Sequence, residues 1–403
     1  MAHRTRTVLL SLAATILLTA CVSPTDPDTP RRRITEPSLY FLRTLDMSEY
    51  DEGFDIQQVE DGGYIVVGRT WMQHTGSIDV LLLRTDAEGQ TLWVKTFGGV
   101  YEDEGYSVTQ TSDGGFILTG STESYTNGFN DVWLIKTDAN GSMIWSRSFG
   151  GNSYDSGQDV IECSNGDFLV AGYTQFAATG NWFAWLVRTD GLGNEIWSKR
   201  YGGSERDLGT SVQETEDGGF VVTGSTETGG NGNSELWLFK VAANGDFEWD
   251  RRIDGDMSKS GFQLVRAGNG AYGIVGYANP QQLQTSNLLF VKTDASGDML
   301  REVIVHNNAI GTGIANTPDG GFILTGYTDP YGSEGCDIIL AKVDMDGNEE
   351  WKRVIGGTRM DRALSVATVR EGGYILTGTT RSYGSGNQDL LIIKTDLNGV
   401  FEE

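Results

Sequence analysis

Beyond residue 50 the chain alternates short apolar runs with small, turn-forming residues and shows no sustained 3.6-residue period, which predicts strands and no helix. The stretch from Gly105 to Gly151 is representative. Tyr106 to Thr111 reads as a first strand. Ser112-Asp113-Gly114-Gly115 reads as a tight turn, because Asp and Gly tolerate the backbone angles a hairpin demands. Phe116 to Thr122 is the expected second strand, followed by a longer loop from Glu123 to Asn130. Asp131 to Thr137 and Met143 to Phe149 are the third and fourth, joined by a turn from Asp138 to Gly141. The middle strands are apolar on both faces (Phe116, Ile117 and Leu118, then Val132 to Ile135), so their sheet must be covered on both sides.

The same pattern recurs along the chain. The octet Asp61 to Gly68 returns at Asp113 and Asn165, then from Asp217, more loosely from Asn269, and from Asp319 and Glu371. The intervals are 52, 52, 52, 52, 50 and 52 residues. Seven such units over residues 38–403 point to an all-β, seven-bladed β-propeller of four-stranded antiparallel blades. The last unit runs out at Thr395 to Glu403, where a fourth strand is due, while Tyr40 to Gly53 aligns with Leu92 to Gly105. The N-terminal strand is therefore expected to complete the last blade, which removes exposed sheet edges.

The unit, DGG-apolar-TG-x-T followed by D-apolar-K-T-D-x-x-G-x-x-x-W, resembles the repeats of secreted bacterial β-propeller lipoproteins over nearly all of residues 38–403. The resemblance implies the fold and leaves activity open, since such propellers include adhesins, scaffolds and carbohydrate-active proteins. The tryptophan-docking repeat of quinoproteins also ends in an Asp, Gly, Trp series. Here Asp86, Gly89, Trp93 and Asp138, Gly141, Trp145 are spaced one residue shorter, and a vicinal Cys pair is missing. The Asp box of sialidases has a shorter Asp-to-Gly interval.

The first twenty residues read as an address. Arg4 and Arg6 precede an apolar stretch, Val8 to Leu18, that is too short for a comfortable membrane span, and Leu18-Thr19-Ala20-Cys21 follows. This ending resembles the lipobox of bacterial lipoproteins. It implies a signal peptide over residues 1–20 and a lipid (palmitate) on Cys21. Residues 21–37 then form a Pro-rich tether, anchored to a membrane without spanning it. Val22, where an Asp would retain the protein, leans towards the outer membrane by resemblance to Gram-negative sorting.

Charge and cysteines narrow the partners. The formal net charge of −25 repels a phosphate backbone and argues against nucleic acid. Three cysteines are too few for a disulfide framework. Besides Cys21, Cys163 and Cys336 fall at non-equivalent repeat positions and are expected to be free thiols.

Candidate chemistry is sparse. His74 and His306 are far apart in repeat register, so a His-based triad or metal site lacks support. The turns at Asp138, Asp344 and Asp396 lack the remaining ligands of a calcium loop. Trp93, Trp145, Trp197, Trp249 and Trp351 recur at one place in the fourth strand, which argues for packing between blades.

Two sets are more informative. Asp51, Asp103, Asp155, Asp207 and Asp361 stand two residues ahead of the first strand in five units, with Lys259 and Ala309 breaking the series. They are expected to ring one mouth of the central channel, either capping their own Gly-rich loops or holding a cation or basic ligand. The same face receives long, variable loops carrying Trp71, Tyr125, Phe176, Trp182, Tyr331 and Tyr383, while the turns opposite are short and nearly identical. Variation and aromatics on a rigid scaffold mark the candidate ligand face.

These readings lead to a monomeric, lipid-anchored binding or scaffold protein that contacts a glycan or protein through the loop face. No cofactor is expected, with calcium as the less favoured reading. The alternative is a carbohydrate-active, glycoside hydrolase-like enzyme using two channel-mouth carboxylates as general acid and as base or nucleophile.

Overall fold

The computed structural model describes residues 40–126, 128–203, 205–227, 233–280, 285–328, 335–385 and 387–402. Among these are 28 strands and no helix. The strands Asp103–Gln110, Phe116–Thr122, Asp131–Thr137 and Met143–Phe149 pair antiparallel in that order to make one blade. Six sheets of this kind follow one another as blades 1 to 6: 51–97, 103–149, 155–201, 207–253, 257–306 and 309–355. Blade 7 takes Asp361–Thr368, Tyr374–Thr380 and Asp389–Thr395 from the C-terminus. Its outer strand, Phe41–Leu45, comes from the N-terminus and pairs from Phe41 opposite Lys394 to Leu45 opposite Leu390. Inner strands contact one another in cyclic order, the last against the first. The chain is thus a seven-bladed β-propeller closed by its N-terminal strand.

Inner strands begin earlier than apolar periodicity suggests. In blade 2 the strand opens at Asp103, opposite Thr122, and a bulge between Gly105 and Ser107 absorbs the residue that interrupts the alternation. The other six blades bulge at the same place. The second strand comes so close here that a Cβ on Gly120 would collide with the Glu104 carbonyl oxygen, which explains the Gly of the TG motif.

The core lies between blades. Ile65, Val67 and Leu82 of blade 1 pack against Leu118, Trp133 and Ile135 of blade 2, and both sides of the middle strands are covered in this way. The outer-strand tryptophans extend the same contact. Gly141 has φ +74° in its hairpin turn, and a Cβ there would lie 2.6 Å from the Trp93 ring of the preceding blade. Trp145, Trp197, Trp249 and Trp351 sit identically against Gly193, Gly245, Gly297 and Gly399. Phe41 occupies this position against Gly89 and so closes the ring with the same contact. Cys163 and Cys336 are buried free thiols.

Candidate functional site

Antiparallel order brings the inner-strand starts, the loops between blades and the loops between second and third strands to one face. All five aspartates stand there, and all are buried, with Asp155 the most accessible at 3%. The carboxylates cap their own loops, one of the two readings the sequence left open. Asp103 accepts from Gly99 N at 2.9 Å, Ser124 Oγ at 2.7 Å and the Thr122 hydroxyl. Asp51 accepts from Met47 N at 2.8 Å, Ser48 N at 3.0 Å and Thr70 Oγ1. Asp155, Asp207 and Asp361 accept from Gly151 N, Gly203 N and Gly357 N at 3.1, 2.6 and 2.8 Å. Each carboxylate therefore ties the loop entering its blade to the strand it opens.

A second acid stands near four of them. Asp79, Asp131 and Asp389 on third strands, and Asp337 just before one, stand beside Asp103, Asp155, Asp51 and Asp361 of the next blade. Burial, and then the charge of Asp103, pushes the Asp79 carboxyl up to about 6, against a pull downward from His74. Burial likewise carries Asp155 to about 6, hydrogen bonds from Thr174 and Gly151 opposing it and Asp131 adding to it. Asp131 and Asp337 are raised by burial too.

The channel is lined by the bulged residues and those that follow them. Phe54, Asp55, Tyr106, Gln158, Asp159 and Phe262 are among the walls of a polar pocket of about 100 Å³. Asp55 accepts from Val108 N at 3.1 Å in blade 2 and from Ser365 Oγ at 2.8 Å in blade 7. Asp159 accepts from Ser107 Oγ at 3.0 Å, and from Ser211 Oγ and Val212 N at 2.9 Å each. Burial pushes Asp55 up to about 6, opposed by those hydrogen bonds and aided by Asp159, which is raised for the same reason. These acids staple adjacent blades. Sequence reasoning passed over them, although the signal is present: Asp55, Ser107, Asp159, Ser211, Gln263 and Ser365 recur as polar residues two positions after the Gly or Ala of the inner strand.

Aromatic side chains gather on the loop face of blades 2 and 3. Phe129 stacks on Tyr154 with centroids 4.4 Å apart, and Tyr154 on Trp182 at 6.3 Å. Tyr173 meets the Trp182 ring edge-on at 5.4 Å, and the Arg206 guanidinium lies 5.9 Å from it. Phe176, in the same loop as Trp182, carries Arg200 over its ring at 5.7 Å. Phe129, Tyr154 and Phe176 are exposed. Tyr125 packs on Trp133 at 5.1 Å and donates its hydroxyl to Gly98 O at 2.8 Å. Trp71 and Tyr383 stand half-buried on blades 1 and 7. Tyr331, Cys21 and the whole leader and tether lie outside the described residues. Phe129 and Tyr154 were missed because each belongs to a different loop, and only the fold stacks Phe129 on Tyr154 and Tyr154 on Trp182.

No family model matches the chain. The regulatory protein FlaEY of Caulobacter vibrioides is 27% identical over 191 residues, covering 41% of this chain and 20% of that protein. Among solved structures, a streptogramin B lyase superposes with a TM-score of 0.56 at 13% identity, covering 90% of this chain and all of the other. The polysaccharide lyase Uly1 gives 0.53 at 9% identity over 86% of this chain and 90% of its own. YCF48 bound to D1 peptide gives 0.52 at 12% identity over 92% of this chain and all of its own. These likenesses establish the propeller fold.

Proposed function

We propose that this propeller is a binding or scaffold protein of the bacterial cell envelope, held as a monomer by a lipid on Cys21 and facing its partner with the loop face. The outer membrane is the proposed location, and a glycan or a protein the proposed ligand. The observation that carries the reading is the Phe129, Tyr154, Trp182 stack. Rings held by strand ends and flanked by Arg200 and Arg206 lose little freedom on binding and offer both apolar area and donors. Propellers of like architecture are found with a peptide, as in YCF48, and as a polysaccharide lyase, Uly1. Acid–base catalysis by channel-mouth carboxylates finds less support, because Asp51, Asp103, Asp155, Asp207 and Asp361 are buried and each is engaged by its own loop.

Glycan and peptide arrays probed with the full chain in mild detergent test the reading. A specific ligand class is expected, with Tyr154→Ala and Trp182→Ala weakening binding about tenfold or more, as loss of a central anchor does. Binding that ignores both substitutions would remove the stack from the site. For the anchor, Cys21→Ser is expected to abolish palmitate labelling and release the protein from the membrane fraction; unchanged retention and labelling would refute lipidation.

A further inference from the structure

Seven blade junctions on the loop face pair a third-strand residue of one blade with the opening residue of the next inner strand. By register the pairs are Asp79 with Asp103, Asp131 with Asp155, Phe183 with Asp207, Glu235 with Lys259, Asn287 with Ala309, Asp337 with Asp361, and Asp389 with Asp51. Three junctions avoid two facing acids: one sets a ring beside an acid, one an acid with a lysine, one an amide with an alanine. At the Asp389 and Asp51 junction, the backbone N–H groups of Ser385, Met47 and Ser48 surround the carboxylates. Asp337 is half-buried.

At the first two junctions backbone N–H groups also reach the carboxylates, Gly99 to Asp103 and Gly151 to Asp155 and Asp131, yet one oxygen of each third-strand acid is left over. Asp79 and Asp131 are each 7% exposed, and Oδ1 of each is buried without a hydrogen-bond partner. The other oxygen of Asp131 is served by Gly151 and Thr126. Both orphan oxygens lie close to the neighbouring acid. Oδ1 of Asp79 and Oδ2 of Asp103 lie within 3.0 Å of the position a Cβ would take on Gly98. Oδ1 of Asp131 and Oδ2 of Asp155 lie within 2.6 Å of that position on Gly150. Two carboxylates that face each other away from water call for a counter-charge between them.

We propose that a hard divalent cation of the calcium class binds at each of these two junctions, bridging Asp79 to Asp103 and Asp131 to Asp155. Carboxylate oxygens are the ligands such a cation takes, and its flexible geometry leaves the remaining places to hydroxyl, carbonyl and solvent oxygens. Ser124 Oγ, 2.7 Å from Asp103 Oδ2, is one such oxygen. The second site lies at the root of the aromatic stack, since Phe129 stands two residues before Asp131 and Tyr154 immediately before Asp155. Cation binding there braces the two loops that carry those rings.

Terbium is the probe, because nearby Tyr125, Trp133 and Tyr154 sensitise its emission. The full chain in detergent and calcium-free neutral buffer is expected to bind two terbium ions saturably, to release them to calcium, and to melt at a higher temperature in millimolar calcium. Asp79→Asn and Asp131→Asn should each leave one site, and the double variant none, with the circular dichroism of the parent. If the double variant fails to fold, the stoichiometry of each single variant decides. A parent without saturable emission and with a calcium-independent melt overturns the proposal, as does a variant set that keeps both sites. A melt that responds to acid and ignores calcium assigns the pairs to shared protons and overturns it equally.

Discussion

The two faces of the propeller are built from one repeat, yet they treat charge in opposite ways. On the turn face a buried basic residue of the third strand lies under the Asp of the first hairpin. Lys136 meets Asp113 at 2.9 Å, Arg188 meets Asp167 at 2.9 Å, and Lys342 meets Asp319 at 3.0 Å. Arg84 with Asp61 and Lys240 with Asp217 complete the set. This is the physical content of the DGG and KTD motifs in five blades; in blade 7 the buried Lys394 of the KTD motif instead donates to Ala87 O at 3.5 Å. The loop face gathers facing pairs of buried acids, half-exposed rings and loops that differ from blade to blade. A face pinned by paired charges and by the tryptophan–glycine contacts leaves the opposite face free to hold arrangements that stabilise nothing, and that is where binding is expected.

The comparison can be broken most severely at the seam that both faces share. Deleting residues 38–46 removes the outer strand of blade 7 and the Phe41 contact with Gly89, so cooperative unfolding should be lost and aggregation should follow; an unaltered melt would mean that closure does not hold the ring.

Next in size is a turn-face pair. Asp113→Ala takes from the buried Lys136 ammonium its carboxylate, and from Gly115 N and Thr111 Oγ1 their acceptor. Urea unfolding should show a loss of about 2 kcal/mol, the scale of a charged hydrogen bond, and Asp217→Ala in blade 4 a similar one. Hydrogen bonds from Thr111, Lys136 and Gly115 outweigh the raising effect of burial, its largest single influence, and hold the Asp113 carboxyl down at about 2. Its contribution is therefore present above the unfolded carboxylate value near 4 and is lost as pH falls towards 2. The parent should lose stability across that window more steeply than the variant; parallel pH profiles would count against the pairing.

The smallest effect has the opposite sign. Asp79 is raised to about 6, so its ionisation opposes folding, and the penalty grows between pH about 4 and 6 and is complete above. In chelator at pH 8, Asp79→Asn should be more stable than the parent, with a flatter profile between those values. A less stable variant would show that the loop-face acid is no burden.

Blade number, strand order in each blade and ring closure were all legible, because each depends on local patterning repeated seven times. Asp113 and Gly114 form a hairpin wherever they are placed, and Phe41 could be matched to Trp93 by alignment alone. The inner-strand start was misplaced, since a bulge looks like broken alternation until its partner strand is known. The five aspartates were found at one repeat position, but the choice between capping their loops and holding a ligand stayed open, because the partners of a strand end depend on register against Thr122 and its equivalents.

What the amino-acid order determined by itself is the repeat, its turns and its closure, all set by short-range backbone preference and by burial of apolar faces. Tertiary structure alone decided which residues from separate blades meet. Asp79 and Asp103 are 24 positions apart in the chain and Phe129 and Tyr154 are 25 apart, and neither pair follows from propensity or period. They meet because successive blades pack face to face around a closed ring, which turns a spacing in sequence into a contact in space.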